Sequence, residues 1–180
     1  MVQRTEFHGW PQGFNPGESP VYVHNEIEIK ADRERVWELL VAAPQWSQWY
    51  ANAFFVRIRQ PAGGTKLALG TVFSWAPFLY PLRSVIVGFD VDRLMEWDFH
   101  GWHMRGYHVW LITPTPGGCR VVTEEVEIGA FPRTLRWVLN PLMWANHKVW
   151  VRGLRRAAEQ SHRTAARSAQ GGSSFASESA

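Results

Sequence analysis

Apolar and polar residues alternate in VYVHNEIEIK from residue 21 onward, with Val21, Val23, Ile27 and Ile29 set among polar neighbours, as in a strand with one buried face. The period then changes. In ADRERVWELLVAA, the apolar positions Val36, Leu39, Leu40 and Ala43 recur at helical spacing behind Asp32, and Pro44 stops the run because its ring cannot continue a helix. PQWSQWY follows as a short helical turn presenting Trp46 and Trp49 on one side. From Ala53 to Ile128 the chain becomes short apolar runs separated by turn signals: AFFVRIR, GTVFSW, RSVIVGFDV, LMEWDF, YHVWLIT and CRVVTEEVEI. Strands at this spacing predict an antiparallel meander. After Gly129 a long helical stretch, FPRTLRWVLNPLMWANHKVWVRGLRRAAEQ, is expected to kink or restart at Pro141.

The pattern predicts an α+β fold. A curved antiparallel sheet of about seven strands wraps a long C-terminal helix, and two short helices follow the first strand. The domain is expected over 21–162. Residues 1–20 lack periodicity and read as an arm, part of which docks through Phe7, Trp10 and Phe14, while the Ser-, Ala- and Gly-rich residues 163–180 are expected to be disordered. A sheet that curls under a single helix leaves space between them that side chains need not fill, so the fold is a container.

Composition changes this picture in few places. At 180 residues the chain has one core and needs no disulfide or structural metal to stay folded. Its lone cysteine, Cys119, and a start without an apolar leader predict a reducing, cytoplasmic setting, and no apolar run is long enough for a transmembrane segment. The net charge of +3 sits mainly in VRGLRR and SHRTAAR, which reads as a solvated helix face. No nucleic-acid signature accompanies it, and no nucleic-acid partner is expected. Eleven tryptophans ask for a surface to cover, either core or the wall that holds a flat organic ligand.

On a helical wheel of residues 135–157, Leu139, Leu142, Met143, Asn146, Trp150, Gly153, Leu154 and Ala157 share one face, and Trp144, Lys148, Arg152 and Arg155 lie opposite. Asn146 is a polar group on that apolar face, bonding either a sheet residue or a ligand. Lys148, outside, is no Schiff-base candidate. If the last hairpin turns at PTPGG, Ile112 faces Val121, Trp110 faces Thr123 and His108 faces Glu125. A solvated His108/Glu125 pair on the outer face is the preferred reading, and a buried proton relay is the rival, because a register slip of one residue exchanges the two faces.

WDFHGWHMRGYHVW, residues 97–110, raises the question of a metal. His100 and His103 in a connection, with Asp98 and His108 nearby, are a weak ligand set, since zinc needs converging ligands with support behind them. No metal and no cofactor are expected. The stretch reads instead as an aromatic wall, with Trp97 and Trp110 on strands and Trp102, His100 and His103 at a rim. APFLYPLR, residues 76–83, is apolar where turns are normally polar, which marks either a lid or a dimer contact.

The motifs IEIKADRERVWELL, PQWSQWY, YHVWLITPTPGGCRVVTEEVEIG and HKVWVRGLRRAAE together resemble the SRPBCC superfamily, the START/Bet v 1-like helix-grip proteins, in its polyketide cyclase/dehydrase-like branch, over roughly residues 21–160. The resemblance implies a helix-grip fold with a cavity for a hydrophobic, aromatic or polycyclic small molecule, in a monomer or homodimer. Within it, Tyr50, Phe55, Trp75, Phe78, Tyr80, Trp97, Trp110, Leu142, Asn146 and Trp150 are the expected ligand-binding residues. If the protein is an enzyme, it is a cyclase, dehydratase or lyase working by acid/base chemistry, with His108, Glu125 and Arg83 as catalytic candidates. The rival readings are a non-catalytic lipid or hydrophobic-ligand carrier, and a membrane-surface or interaction module suggested by the basic and aromatic FPRTLRWVLNPLMW.

Overall fold

The computed structural model describes residues 9–173, with side chains through residue 160. Strand β1 (Val21–Ile29) leads into helix α1 (Arg33–Val41) and a 3-10 turn (Ala43–Gln48). Then come β2 (Arg57–Gln60), β3 (Val72–Trp75), a 3-10 turn (Pro77–Leu79), β4 (Leu82–Asp90), β5 (Leu94–Gly101), β6 (Met104–Thr115) and β7 (Gly118–Ile128). Helix α2 (Ala130–Ser173) completes the chain. The seven strands form one sheet in the order β1-β7-β6-β5-β4-β3-β2, antiparallel throughout, so the meander from β2 to β7 is closed by β1 pairing with β7. This is the helix-grip arrangement. Helix α2 lies along β1 and β7 and meets α1.

The two faces of the sheet are buried by different partners. Trp97, Trp110 and Ile112 face α2 and join a core with Trp46, Phe73 and Trp150. Tyr107, Val109, Leu111, Val122 and Val126 face the other way, where the arm covers them with Trp10 and the buried Phe14. β6 and β7 are therefore buried on both faces over most of their length, which is why YHVWLIT does not alternate cleanly. Phe7 lies outside the described residues.

Two expectations are corrected. The second strand starts at Arg57 and not at Ala53, because Phe55 takes a left-handed φ of 55° that breaks the extended chain. In α2 the non-helical residue is Leu135 (φ −107°, ψ 15°), six positions before the proline expected to cause it. Near Pro141, Asn140 donates to the carbonyls of Arg136 and Pro20, each at 2.9 Å, and accepts the Tyr22 N–H at 3.2 Å, tying the helix to the start of β1. Helix α2 is described as far as Ser173. Residues 174–180 lie outside the described residues.

Candidate functional site

The centre of the molecule is Trp150, fully buried on α2. Tyr50 stacks on it at 4.6 Å, and Trp46, Trp75 and Trp110 pack around it with centroids 5.1–5.5 Å away. Gly153 permits this approach: a Cβ there would sit 2.2 Å from the Trp49 carbonyl oxygen. The tryptophans are thus mostly core.

A cavity of about 230 Å³ opens beside this cluster, between the first half of α2, the Pro77–Leu79 turn and the inner face of β6 and β7. Trp75, Phe78, Tyr80, Leu142, Asn146 and Trp150 line it, as do Glu125, Glu127 and His147. Four expected ligand residues do not. Trp97 and Trp110 are sealed in the core, Tyr50 is buried behind Trp150, and Phe55 is 68% exposed because its left-handed backbone turns it outward. Arg83 is exposed, since Leu82, Ser84 and Ile86 take the inward positions of β4. It is not placed to polarise a ligand in the cavity.

The β6–β7 register pairs His108 with Glu125, Trp110 with Thr123 and Ile112 with Val121, as the turn position predicts. The face is not the preferred one. His108 and Glu125 are 0% and 3% exposed, because this side of the hairpin lies under α2. His108 Nδ1 lies 2.5 Å from a Glu125 carboxylate oxygen, and its Nε2 is 2.8 Å from Thr123 Oγ1. Trp97 stacks on the imidazole at 4.2 Å. From α2, His147 brings Nε2 to 3.6 Å from the same Glu125 oxygen.

Electrostatics assign the proton. Burial pushes His108 down to about 4, so the ring is neutral. Burial would raise Glu125, but the hydrogen bond from His108 and the nearby His147 outweigh it and hold the carboxyl well below its ordinary value. His108 therefore donates its Nδ1–H to an ionised Glu125, and Thr123 Oγ1 donates to Nε2. For Glu127, burial first and the Glu125 charge second raise the pKa well above the usual carboxylate range.

Several buried polar atoms here lack a hydrogen-bond partner: Glu127 Oε2, His147 Nδ1 and the indole nitrogens of Trp97, Trp110 and Trp150. Asn146 is satisfied within the protein. It donates to the Tyr50 hydroxyl at 2.5 Å and accepts from Asn52 at 3.0 Å, while Asn52 Oδ1 accepts the Phe78 N–H at 2.7 Å. At the rim, the Tyr80 hydroxyl donates to the Trp102 carbonyl, and the Tyr80 ring stacks on Phe131 at 5.2 Å.

The metal set weighed from the sequence does not form. His100 and His103 are exposed and outside the cavity wall. The structure instead gathers His108, Glu125 and His147, whose ligand atoms lie within 4.8 Å of one another. Sequence reasoning missed His147, although Met143, His147, Trp150 and Leu154 recur at spacings of four, three and four on the buried stripe of α2. It also passed over Glu127, which follows Glu125 by two residues and so shares its face of β7. Cys119 is buried, and burial pushes its thiol up to about 11, away from nucleophilic use.

A curved antiparallel sheet gripping one long helix, with an apolar cavity beneath it, defines the helix-grip class. The profile of the family described as polyketide cyclase / dehydrase and lipid transport matches residues 20–169, and the chain belongs to that family. Among solved structures it is similar to a hypothetical protein of Helicobacter pylori, at 23% identity and a TM-score of 0.77, over 88% of this chain and 99% of that one. It is also similar to the di-domain ARO/CYC StfQ from the steffimycin biosynthetic pathway, at 13% identity and TM-score 0.66, over 79% of this chain and 51% of that one. Truncated norcoclaurine synthase from Thalictrum flavum matches at 14% identity and TM-score 0.58, over 75% of this chain and 91% of that one. No curated protein matches in sequence. Such low identities establish a shared fold. No helix among the described residues is long and apolar enough to cross a membrane.

Proposed function

We propose that the protein binds an apolar, aromatic or polycyclic small molecule carrying an oxygen function, and acts on that end as a cyclase- or dehydratase-like enzyme. The observation that supports this most is a grouping of polar atoms on one wall of an otherwise apolar cavity. Glu125, Glu127 and His147 stand together there, and Glu127 Oε2 and His147 Nδ1 have no partner within the protein. Buried polar atoms left unpaired cost about 1–3 kcal/mol each, so a site that keeps two of them is completed by something that enters it. The aromatic side chains Trp75, Phe78, Tyr80 and Trp150 would hold the apolar body of the ligand, with Glu125 turned toward its oxygen function and His108 standing behind Glu125. Membership of the cyclase family and the likeness to the fold of StfQ support a ring-forming or water-eliminating reaction over others.

The test is native mass spectrometry of the purified protein, followed by release and identification of any organic molecule, and by fluorescence titration with polycyclic aromatic ketones. Binding should quench the emission of Trp75 and Trp150, and Met143→Arg, which fills the cavity, should abolish the quenching. No ligand in either experiment would defeat the reading. A bound molecule that is never converted would favour the carrier reading, which the exposed Trp137 and Val138 beside Arg133 and Arg136 on α2 also support as a loading surface.

A further inference from the structure

Binding an apolar ligand does not require two imidazoles and an ionised carboxylate to converge from three elements in the core. His108 comes from β6, Glu125 from β7 and His147 from α2, all buried, with ligand atoms within 4.8 Å of one another. Burying an ionised carboxylate is costly unless a cation or several donors face it, and His108 supplies one close donor. His147 is held at 3.6 Å from the same oxygen with its Nδ1 unpartnered, although the residue is 1% exposed. With Nε2 too far from that oxygen for a hydrogen bond and Nδ1 free to carry the ring's proton, the buried imidazole can offer Nε2 to an ion.

We infer that His108 Nδ1, a Glu125 carboxylate oxygen and His147 Nε2 form a binding site for a divalent transition-metal ion of the zinc or ferrous type. Two imidazoles and one carboxylate are the donor set such ions take at sites that keep a position open. Glu125 and His147 line the cavity, so the open position faces it. His108 is supported in the way metal-bound histidines usually are, with its far nitrogen 2.8 Å from Thr123 Oγ1 and its ring fixed under Trp97.

The protons balance. Without metal, His108 carries its proton on Nδ1, toward Glu125, and accepts at Nε2 from the threonine hydroxyl. With metal, Nδ1 must be bare, and the proton sits on Nε2. Thr123 Oγ1 serves either form, because a hydroxyl can donate or accept, and it turns from donor to acceptor as the ion enters. No net proton leaves His108, and His147 binds through Nε2 with its proton on the unpartnered Nδ1. The ion takes the place of the Nδ1–H in compensating the Glu125 charge, and its open position would polarise the ligand's oxygen function. That last role rests on the proposed function, whereas metal binding does not need the organic ligand.

The test uses the full, untagged chain, stripped with a chelator and titrated with Zn²⁺ by calorimetry and with Co²⁺ by absorption. One ion per chain is expected, with the intense d–d bands of a four- or five-coordinate cobalt site. Glu125→Gln and His147→Gln should each weaken Zn²⁺ binding by more than about 100-fold, and Thr123→Val by roughly 10- to 100-fold. His100→Gln/His103→Gln should bind as the parent does. Where a core variant fails to fold, the wild-type thermal midpoint decides, since it should rise with Zn²⁺. The inference is overturned if the wild type takes up no ion and shows no rise in midpoint, or if the His100/His103 variant alone loses binding. A metal site in a protein that binds no aromatic ligand would sink the proposed function and leave this site standing.

Discussion

Tyr50 lies flat on Trp150, with ring centroids 4.6 Å apart and planes inclined by 9°. This contact joins the end of the Ala43–Gln48 turn to the middle of α2, and both rings are fully buried. Trp150 also meets Trp46, Trp75 and Trp110, so its removal opens a hole that several large side chains cannot all move to fill. Trp150→Ala is expected to cost about 3–5 kcal/mol, read from urea unfolding midpoints, and to weaken ligand binding through loss of the cavity wall. A cost below about 1 kcal/mol would mean that this cluster is not the core.

A pH effect should come from the first strand. His24 Nδ1 is 2.8 Å from Glu124 and its Nε2 is 3.6 Å from Glu26, which also pairs with Arg120. The bond to Glu124 raises the His24 pKa above 6.5 despite partial burial. The folded state thus holds this proton more tightly than the unfolded chain does. The stabilisation is full below the unfolded value, and is lost as pH rises through the folded one. His24→Gln should flatten the fall in unfolding midpoint as pH rises above about 6.5, and an unchanged slope would refute the assignment.

Much of this was legible in the sequence. Period-two runs and turn signals located the meander, and the position of PTPGG set the β6–β7 register, because the side-chain period of a strand ties turn position to pairing. The face was not legible. Whether His108 and Glu125 point to solvent or core depends on where α2 lies, and no local pattern encodes that. The tryptophans misled for a related reason: Trp97 and Trp110 look the same in sequence whether they wall a cavity or fill a core, and packing around Trp150 decides it. His147 was overlooked because a histidine between Asn146 and Lys148 reads as polar surface, although its spacing from Met143 and Trp150 placed it on the buried stripe.

Placement also predicts a null effect. Arg83 is exposed on β4, away from the cavity, so Arg83→Ala should leave ligand affinity and any turnover within about twofold of wild type. Leu142→Arg, at the cavity wall, should abolish binding in the same fluorescence titration. Loss of function in the Arg83 variant would show that the ligand approaches the sheet from its other face.

The rim should respond to a residue that never lines the cavity. Phe78 and Leu79 both adopt left-handed φ values, 51° and 61°, which side chains other than glycine seldom take. Asn52 opposes that strain by accepting the Phe78 N–H at 2.7 Å, while its amide donates to Asn146 and to Tyr50. Asn52→Ala removes all three bonds at once and leaves the Phe78 N–H and the Asn146 oxygen to find water. The expected cost is about 1–3 kcal/mol in stability. Faster amide exchange over residues 76–80 and faster ligand release should accompany it, since this loop covers the cavity. Asn52→Asp keeps the acceptor for Phe78 but not the donor to Asn146, so it should preserve slow exchange at the rim while losing part of the stability. If both variants exchange at the wild-type rate, the Asn52 bond does not hold the loop, and packing of Tyr80 on Phe131 must do so.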